Sequence, residues 1–437
     1  MKINKWTLGL AAVGLVSLTP ALRAADATPV PQPVMTAMSA TTISGYVDTS
    51  AVWNPGNGKG DQNVAPYAFN APNKQNGFNL DAVDVKIAKP LDEGKWSAGY
   101  TAEAMLGDEG RAALGSWYPI REAYVSLRAN VGNGLDFKLG EWDNILGFES
   151  TDAMNNPNWT RSYGYTIEPT EHIGVLAMYP FSSSVNLQVG IADELTAGVD
   201  RNLDKTVWSA PITANPAPNP ERKAIVSLLT LTAPDSWGAV KGSRLYVGAD
   251  YGPGNGVKAG ITDIDHSNGR IGNKTELYAG ATIMTPVKGL SFGLAFDNID
   301  NADMPLSSGT SSKIQEYEHL DTSTLTKDGY SIAGFAQSLA AYVSYQIPDT
   351  KLTLNTRAEY AHGSAFENLV PDPDLSPRIL AFTETIEYKL WGDNVITRLE
   401  GRWDHAEDGN KIFGGTTDGS PISRNSFLVA ANVIYKF

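Results

Sequence analysis

The sequence predicts an all-β protein, a transmembrane up-and-down antiparallel β-barrel of about sixteen strands, and three observations support this. Apolar and polar residues alternate with period two in segments of about eight to twelve residues, as strands do when one face meets an apolar phase. The connections between these segments alternate between short and long without exception. The last segment ends on an aromatic residue, Phe437.

The first 24 residues have the order of a secretory signal peptide. Lys2 and Lys5 precede an apolar run from about residue 8 to residue 18, and Ala24 and Ala25 are small residues suited to cleavage. The run is far shorter than the ~20 residues that a membrane-spanning helix needs, and no longer run follows. We expect a signal peptide at 1–24, a Pro-rich periplasmic lead at 25–40 and the barrel at 41–437. An uncleaved N-terminal anchor is the alternative.

The composition excludes several classes of site. The chain has no cysteine, so disulfides, zinc–thiolate sites, cysteine nucleophiles and a lipid-bearing N-terminal cysteine are all ruled out. The formal net charge is −14, and removal of Lys2, Lys5 and Arg23 with the signal peptide would take it to −14 − 3 = −17. Nucleic-acid binding needs a basic surface, so we expect no nucleic-acid partner.

Each predicted strand has one apolar face. From Val185 to Ile191, aliphatic residues alternate with Asn186 and Gln188. In later strands charged residues occupy the second face, which we therefore expect to meet water. The predicted strands begin near residues 42, 79, 96, 120, 135, 173, 185, 224, 244, 274, 290, 335, 352, 379, 395 and 426.

The connections predict which end of each strand lies in the periplasm. Short turns fall at 90–94, 131–134, 180–184, 234–243, 285–289, 348–351 and 391–394. Long polar stretches fall at 54–77, 107–119, 143–172, 192–223, 252–273, 300–334, 362–378 and 406–425. Bacterial outer-membrane barrels have short periplasmic turns, long outer loops and an even number of strands. Because an unpaired strand edge costs several kcal/mol per polar group in hydrocarbon, we expect residues 41–53 to pair with the strand ending at Phe437.

Aromatic residues fall near both predicted edges of the barrel. On the outward parity the periplasmic edge carries Trp96, Tyr179, Tyr345, Tyr388, Tyr435 and Phe437. The outer edge carries Trp53, Tyr251, Tyr360 and Trp403. Two such girdles are typical of membrane barrels.

The last strand, 426–437 (SFLVAANVIYKF), resembles the terminal signal of bacterial outer-membrane barrels. Three further stretches carry a resemblance to a known family, namely 43–48 (ISGYVD), 139–150 (LGEWDNILGFES) and 168–175 (EPTEHIGV). The chain resembles the putative β-barrel porin-2 family over about 41–437. The resemblance implies an outer-membrane porin for passive diffusion of small hydrophilic solutes or ions. It also implies contact with outer-membrane lipids, recognition of the last strand by the barrel assembly machinery, and, as in porins of this size, a homotrimer.

Charged residues on the inward parity are predicted to line the pore. They are Arg128, Arg357, Glu359, Arg398, Glu400 and Arg402. General porins fold their third outer loop into the pore, and the resemblance implies the same for 143–172, whose charged residues are Asp143, Glu149, Asp152, Arg161 and Glu168. Carboxylates of the loop facing lumenal arginines would create a transverse field that orients polar solutes. The alternatives are that the loop only caps the barrel, and that the lumenal charges only pair with one another.

No catalytic or metal site is expected, and no cofactor. Asp263 and Asp265 resemble the start of a calcium loop, but Asn268 replaces the expected glycine and Lys274 the expected glutamate. The glycine-rich run at 252–260 is not followed by a helix, which disfavours a nucleotide site. His405 beside Asp404 leaves open an outer-membrane hydrolase, although no GxSxG motif accompanies it. An adhesin and a secreted soluble β-protein are the remaining alternatives.

Overall fold

A computed structural model of the chain describes residues 40–55, 76–110, 119–193, 198–199, 223–253, 273–305, 331–363, 377–391, 394–407, 409, 411–414 and 422–437. The predicted signal peptide, the lead up to residue 39, and Asp263, Asp265 and Asn268 lie outside these residues. Among the described residues, helices long and apolar enough to cross a membrane are absent.

The described residues form one sheet of seventeen strands. Their bounds are β1 (Thr42–Trp53), β2 (Gly77–Lys89), β3 (Ser97–Leu106), β4 (Ile120–Ala129), β5 (Leu135–Asp143), β6 (Pro169–Pro180), β7 (Val185–Ala192), β8 (Gly198–Val199), β9 (Ala224–Thr232), β10 (Arg244–Pro253), β11 (Asn273–Met284), β12 (Leu290–Pro305), β13 (Ser331–Gln346), β14 (Leu352–His362), β15 (Arg378–Leu390), β16 (Val395–Ala406) and β17 (Asn425–Lys436). Short helical segments of the described residues include Ala153–Asn155 and Asp235–Val240, both 3₁₀, and Tyr163–Ile167, an α-helix named α1 here.

Sixteen of these strands form the predicted closed antiparallel barrel. Each pairs with its neighbours along the chain, while the two-residue β8 pairs in parallel with β6, so that β7 pairs directly with β9. β1 and β17 close the sheet, with Tyr46 opposite Lys436 and Trp53 opposite Val429. The fold class, the strand count and the predicted closing pair are therefore confirmed.

The predicted strand starts agree with the structure to within four residues. The largest differences are at β6 and β13, which begin at Pro169 and Ser331 rather than near 173 and 335. At β6 the first residues, Pro169 to His172, are all buried, so apolar–polar alternation does not reveal them. Proline is accepted at the first residue of a strand because its missing N–H breaks no internal ladder.

The apolar residues of the strands face outward. In β17, Phe427, Val429 and Val433 are exposed, whereas Leu428 and Asn432 between them are buried. Of the ten aromatic residues predicted for the girdles, eight are exposed, namely Trp53, Trp96, Tyr251, Tyr360, Tyr388, Trp403, Tyr435 and Phe437. Tyr179 and Tyr345 are half-buried. An apolar outward face with aromatic residues near its edges matches a barrel set in a bilayer.

Two β-bulges interrupt the alternation and bring extra polar side chains into the lumen. The β1–β2 register shifts after Asp48, and both Asp81 and Ala82 on β2 are buried. The β3–β4 register shifts after Glu103, and the consecutive residues Arg121 and Glu122 are both buried. A bulge adds one residue to one strand and turns its side chain toward a new direction.

Candidate functional site

The connection between β5 and β6 lies inside the barrel. This segment, residues 144–168, is called the L3 loop below. Its apolar side chains join buried clusters with inward residues on different parts of the wall: Leu146 with Leu228, Tyr278 and Tyr342, Ala153 with Tyr46, Met105 and Ile434, Trp159 with Val52 and Leu428, and Tyr163 with Ile299, Ala361 and Ile379. Contacts on so many strands place the loop across the lumen.

The L3 loop is held in shape by its own hydrogen bonds. The Asn156 side chain donates to Ser150 O at 2.6 Å and accepts from Ser150 N at 2.8 Å. The buried Arg161 donates to the carbonyls of Ser150, Thr151 and Trp159 at 2.9–3.0 Å. Helix α1 begins after Ser162, whose hydroxyl accepts from Tyr165 N at 3.1 Å. Arg161, predicted to charge the constriction, therefore has its guanidinium bound by the loop's own carbonyls.

Arg357 on β14 links the wall to the loop. Its guanidinium donates to Glu149 Oε1 at 2.7 Å, to Thr160 O at 2.7 Å and to Arg161 O at 3.1 Å, and it also bonds to Glu359 Oε1 at 2.6 Å. The side chain is 0% exposed. The bond to Glu149 pairs a lumenal arginine with a loop carboxylate. The remaining hydrogen bonds of Arg357 go to two loop carbonyls, to Glu359 and to the hydroxyls of Thr160 and Thr383.

Two further arginines on β16 bind the loop backbone. Arg398 donates to Ala153 O and Asn156 O, both at 2.9 Å, and to Glu387 Oε2 at 3.0 Å. Arg402 donates to Arg161 O at 2.8 Å and to Asp404 Oδ1 at 2.8 Å. The arginines of this wall therefore bind both the carbonyls of L3 and neighbouring carboxylates.

Carboxylates on the same wall receive the N–H groups of L3. Glu400 accepts from Trp159 N at 2.5 Å and from Thr160 N at 2.9 Å, and Glu359 accepts from Tyr163 N at 2.7 Å. Within the loop, Glu149 accepts from Ser162 N at 2.6 Å. Arginines of the wall donate to loop carbonyls, and glutamates of the wall accept from loop N–H groups. The loop between Ala153 and Tyr163 is therefore hydrogen-bonded to β14 and β16 through both its carbonyl and its N–H groups.

Arg128, the fourth predicted arginine, lies apart from this group. It donates to Asp136 at 2.6 and 2.7 Å and to Asp92 O, in the short turn after β2, at 3.1 Å. Its neighbours place it near the end of the barrel that carries the short turns.

The opposite wall holds two of the predicted loop carboxylates through an arginine that alternation does not predict. Arg121 on β4 donates to Asp143 Oδ2 at 2.5 Å and to Asp152 Oδ1 at 2.8 Å, and it also pairs with Glu103. Strict alternation with the outward Val125 and Leu127 would send Arg121 to the lipid face; the β4 bulge turns it inward.

Water reaches the charged groups on this second wall. The side chains of Lys86, Asp143 and Asp152 are 30%, 34% and 15% exposed, whereas those of Arg357 and Arg402 are fully buried. Lys86 pairs with Glu103 at 2.6 Å and with Glu122 at 2.8 Å. The open part of the lumen at this level therefore lies beside β2 to β5.

The last predicted loop residue, Glu168, ends L3 in an acidic pocket. Its carboxyl is hydrogen-bonded to that of Asp297 on β12. Burial, followed by the charge of Asp297, raises the pKa of Glu168 well above its usual range. Asp250 and Glu276 stand directly opposite each other nearby on β10 and β11, and His172 Nε2 lies 3.6 Å from Asp250. The raised pKa favours the protonated form of Glu168, which can share a hydrogen bond with Asp297.

The interior of the described barrel is strongly acidic. Its buried charged residues comprise seventeen aspartates and glutamates against seven lysines and arginines. Carboxylates that lack a cationic partner must hold a proton, meet water or bind a cation.

His405 and Asp404 do not form a catalytic pair. His405 Nδ1 lies 2.8 Å from Asn425 Oδ1, whereas the Asp404 carboxylate accepts from Arg402 and from Tyr163 Oη at 3.0 Å. Consecutive strand residues point to opposite faces, which separates these two side chains.

Comparisons with known proteins agree with this architecture. The sequence pattern of the family described as putative beta-barrel porin-2, OmpL-like, matches residues 40–437. No functionally curated protein gives a significant match.

Solved outer-membrane structures share the fold at low sequence identity. The high-pH structure of OprB from Pseudomonas putida has a TM-score of 0.53 at 9% identity, covering 92% of this chain and 96% of its own. In-vitro folded OmpT of Vibrio cholerae, in a trimer form, has a TM-score of 0.51 at 10% identity, covering 91% and 99%. An anion-selective porin from Comamonas acidovorans has a TM-score of 0.50 at 12% identity, also covering 91% and 99%.

Proposed function

The chain belongs to the putative beta-barrel porin-2 family and is an outer-membrane channel for passive solute diffusion; we propose that small hydrophilic solutes or ions cross it beside the L3 loop, along β2 to β5. The observation that carries this route is the difference in exposure between the two walls. Arginines and glutamates on β14 and β16 are buried against L3, whereas Lys86, Asp143 and Asp152 keep contact with water.

We infer from the same wall that cations are the preferred ions. Most exposed charge on the route is carboxylate, and the buried charges of the described interior are also acidic in excess. Fixed negative charge in a narrow aqueous path attracts cations and repels anions. The Comamonas acidovorans protein is described as anion-selective. At 12% identity, however, the comparison supports a shared fold and not a shared arrangement of charges.

The route is tested with Asp143→Asn in planar bilayers. This change removes one exposed negative charge and keeps the size of the side chain. We expect the preference for K⁺ over Cl⁻, taken from the reversal potential under a salt gradient, to fall, because Asp143 borders the open part of the lumen. Lys288→Ala, in an exposed periplasmic turn, is the control. An unchanged reversal potential in Asp143→Asn would remove β2 to β5 as the route.

The constriction role of L3 is tested with Arg398→Ala and Arg402→Ala. Each change removes donors that hold loop carbonyls. We expect larger and noisier single-channel conductance, because the loop loses its attachment to β16. Equal conductance and ion preference in both variants and in Lys288→Ala would show that L3 does not set the constriction.

We propose that the chain is not an enzyme. His405 is hydrogen-bonded to Asn425, and Asp404 to Arg402, rather than to each other. Liposome swelling by small sugars supports the channel. Hydrolase activity of the purified protein, lost in His405→Ala, would favour the alternative. Release in soluble form without detergent would favour a secreted β-protein.

We also propose that this chain is exported and folded as the family resemblance implies. We propose that the signal peptide is cleaved near residue 24, which N-terminal sequencing of the outer-membrane protein tests. The strand ending at Phe437 is proposed as the segment that the barrel assembly machinery reads, and outer-membrane lipids as the partners of the apolar outward face.

We propose a homotrimer on the basis of the outward face of β14 to β16. Glu384 points outward from the middle of β15 and accepts from Thr356 Oγ1 at 2.6 Å. Gly401 stands opposite it on β16, and a side chain added there would meet no atom of the chain. A charged group facing lipid near the midplane is costly, and a neighbouring protomer would cover it.

A further inference from the structure

A group of three carboxylates links the barrel wall to the L3 loop. Asp84 lies on β2, Glu103 on β3 and Asp152 in L3. One carboxylate oxygen of each lies within 4.8 Å of the other two. Asp84 and Glu103 are 3% exposed, so these are buried like charges rather than a solvated acidic surface.

One of these carboxylates has an oxygen without a partner. Oδ2 of Asp84 is buried and makes no hydrogen bond among the described residues. A buried acceptor without a donor costs ~1–3 kcal/mol, and more when it is charged. An oxygen of Asp84 lies within 4.8 Å of an oxygen of each of the other two carboxylates, so a cation held among the three would supply the Asp84 carboxylate with a partner.

The surrounding charges do not neutralise the group. Five carboxylates lie in this part of the lumen, namely Asp84, Glu103, Glu122, Asp143 and Asp152. Three cationic groups pair with them, namely Lys86, Lys138 and Arg121. Two negative charges remain when all are ionised.

We propose that Asp84, Glu103 and Asp152 bind a hard divalent cation, and that this cation is Ca²⁺. Ca²⁺ takes oxygen ligands at about 2.3–2.6 Å, so two oxygens on one ion lie at most about 5 Å apart. Carboxylate-only ligation suits Ca²⁺ and Mg²⁺ and disfavours softer metals. One such ion supplies the two missing positive charges, and water beside the partly exposed Asp152 gives it a way in.

The ion would fasten the L3 loop to β2 and β3, in addition to its arginine anchors on β14 and β16. Asp152 is the loop's ligand and stands at the N-cap position of the 3₁₀ segment Ala153–Asn155, where its side chain makes no capping hydrogen bond. Arg398 already holds the same segment from β16 through Ala153 O. With the ion in place, two separate parts of the wall hold this segment of the loop.

The test uses the mature chain refolded in detergent without lipopolysaccharide, freed of metal with EDTA and kept at constant ionic strength. Calorimetric titration with CaCl₂ is expected to lose one site in Asp84→Asn, or to show it at least tenfold weaker. Asp152→Asn, in the loop, is expected to behave in the same way. Each variant is first checked for heat-modifiable migration, and Asp152→Asn keeps the test decisive if Asp84→Asn does not fold.

Glu276→Gln is the matched control, since it removes a buried lumenal carboxylate from another part of the wall. It is expected to bind Ca²⁺ as the unchanged chain does. Equal titrations of the unchanged chain, Asp84→Asn and Asp152→Asn would overturn the proposal, as would an equal loss in Glu276→Gln. Titration with MgCl₂ in place of CaCl₂ assigns the ion: stronger binding of Mg²⁺ would overturn the choice of Ca²⁺.

Discussion

Single residues show what side-chain direction can predict in this protein. Alternation along β14 and β16 predicts that Arg357, Arg398 and Arg402 point into the lumen, and the structure places them there, buried against L3. Their partners could not be predicted, because backbone carbonyls of a folded loop have no signature in the sequence. Arg121 could not be predicted for a different reason. The β4 bulge turns its side chain into the lumen, whereas strict alternation assigns it to the outer face.

Arg357→Ala is predicted to be the most destabilising of the arginine changes. It leaves the buried Glu149 and Glu359 without their shared cation. Breaking a buried ion pair on one side costs ~3–5 kcal/mol. The measurement is urea unfolding of the refolded barrel, followed by tryptophan fluorescence.

Arg128→Ala is the comparison for this change. Its side chain is 21% exposed and bonds away from L3, so we expect a smaller loss of stability. Equal losses in the two variants would contradict the role of Arg357 as the main anchor of the loop.

The buried Glu168 carboxyl is predicted to make the stability of the folded barrel depend on pH. Its pKa is raised by burial and by Asp297, so the folded protein holds a proton that the unfolded chain releases at a lower pH. The stability from this group is therefore present at low pH and is lost as the pH rises through the folded pKa. We expect Glu168→Gln, which carries no titrating group at this position, to reduce the loss of stability with rising pH.

The measurement is the temperature at which the heat-modifiable band converts, followed from acidic to alkaline pH. Glu93→Gln, in an exposed periplasmic turn, is the control and should behave as the unchanged chain does. A Glu168→Gln variant with the same loss of stability on raising the pH as the unchanged chain would count against the raised pKa.

At the scale of elements, strands were predictable and the L3 loop was predictable only by resemblance. Period two is a local property, so each strand start could be placed to within four residues. The path of L3 depends on distant contacts, such as Trp159 N to Glu400 and Tyr163 N to Glu359. Local sequence carries no record of such pairs, and only the aromatic residues of the loop hint that it is buried.

The pairing of β1 with β17 leads to different predictions for deletion of the last strand and for removal of the Phe437 ring. Gly45 and Phe437 exchange backbone hydrogen bonds at 3.0 and 3.1 Å. Deletion of 426–437 exposes the edges of β1 and β16, and we expect no heat-modifiable form, because each unpaired group costs several kcal/mol in hydrocarbon. Phe437→Ala keeps these backbone bonds, so we expect it to refold in detergent.

Both variants are compared in detergent gels after refolding and after expression in cells. A lower yield of Phe437→Ala in the outer membrane, with normal refolding in detergent, is the result expected if its ring is read during assembly. Heat-modifiable migration after deletion of 426–437 would contradict the closing role of β17.

At the scale of the whole molecule, the two faces of the barrel follow different physical rules. The lumen tolerates an excess of carboxylates because water, L3 amides and arginines surround them. The outer face meets hydrocarbon, where a carboxylate has none of these partners. Glu384 breaks the second rule, and around it the outward residues Thr356, Ala358, Gly401 and Ala431 are small. Small residues let another protein surface approach closely.

Gly401→Leu is therefore predicted to weaken the trimer without unfolding the barrel. Gly401 faces outward with open space beside it, so a leucine there should fit the isolated chain and clash with a neighbouring protomer. The measurement is the mass of the detergent complex by light scattering, with Ala98→Leu, an outward change on β3, as control. If the unchanged chain is a trimer and Gly401→Leu is also a trimer of equal thermal stability, the interface lies on another face of the barrel.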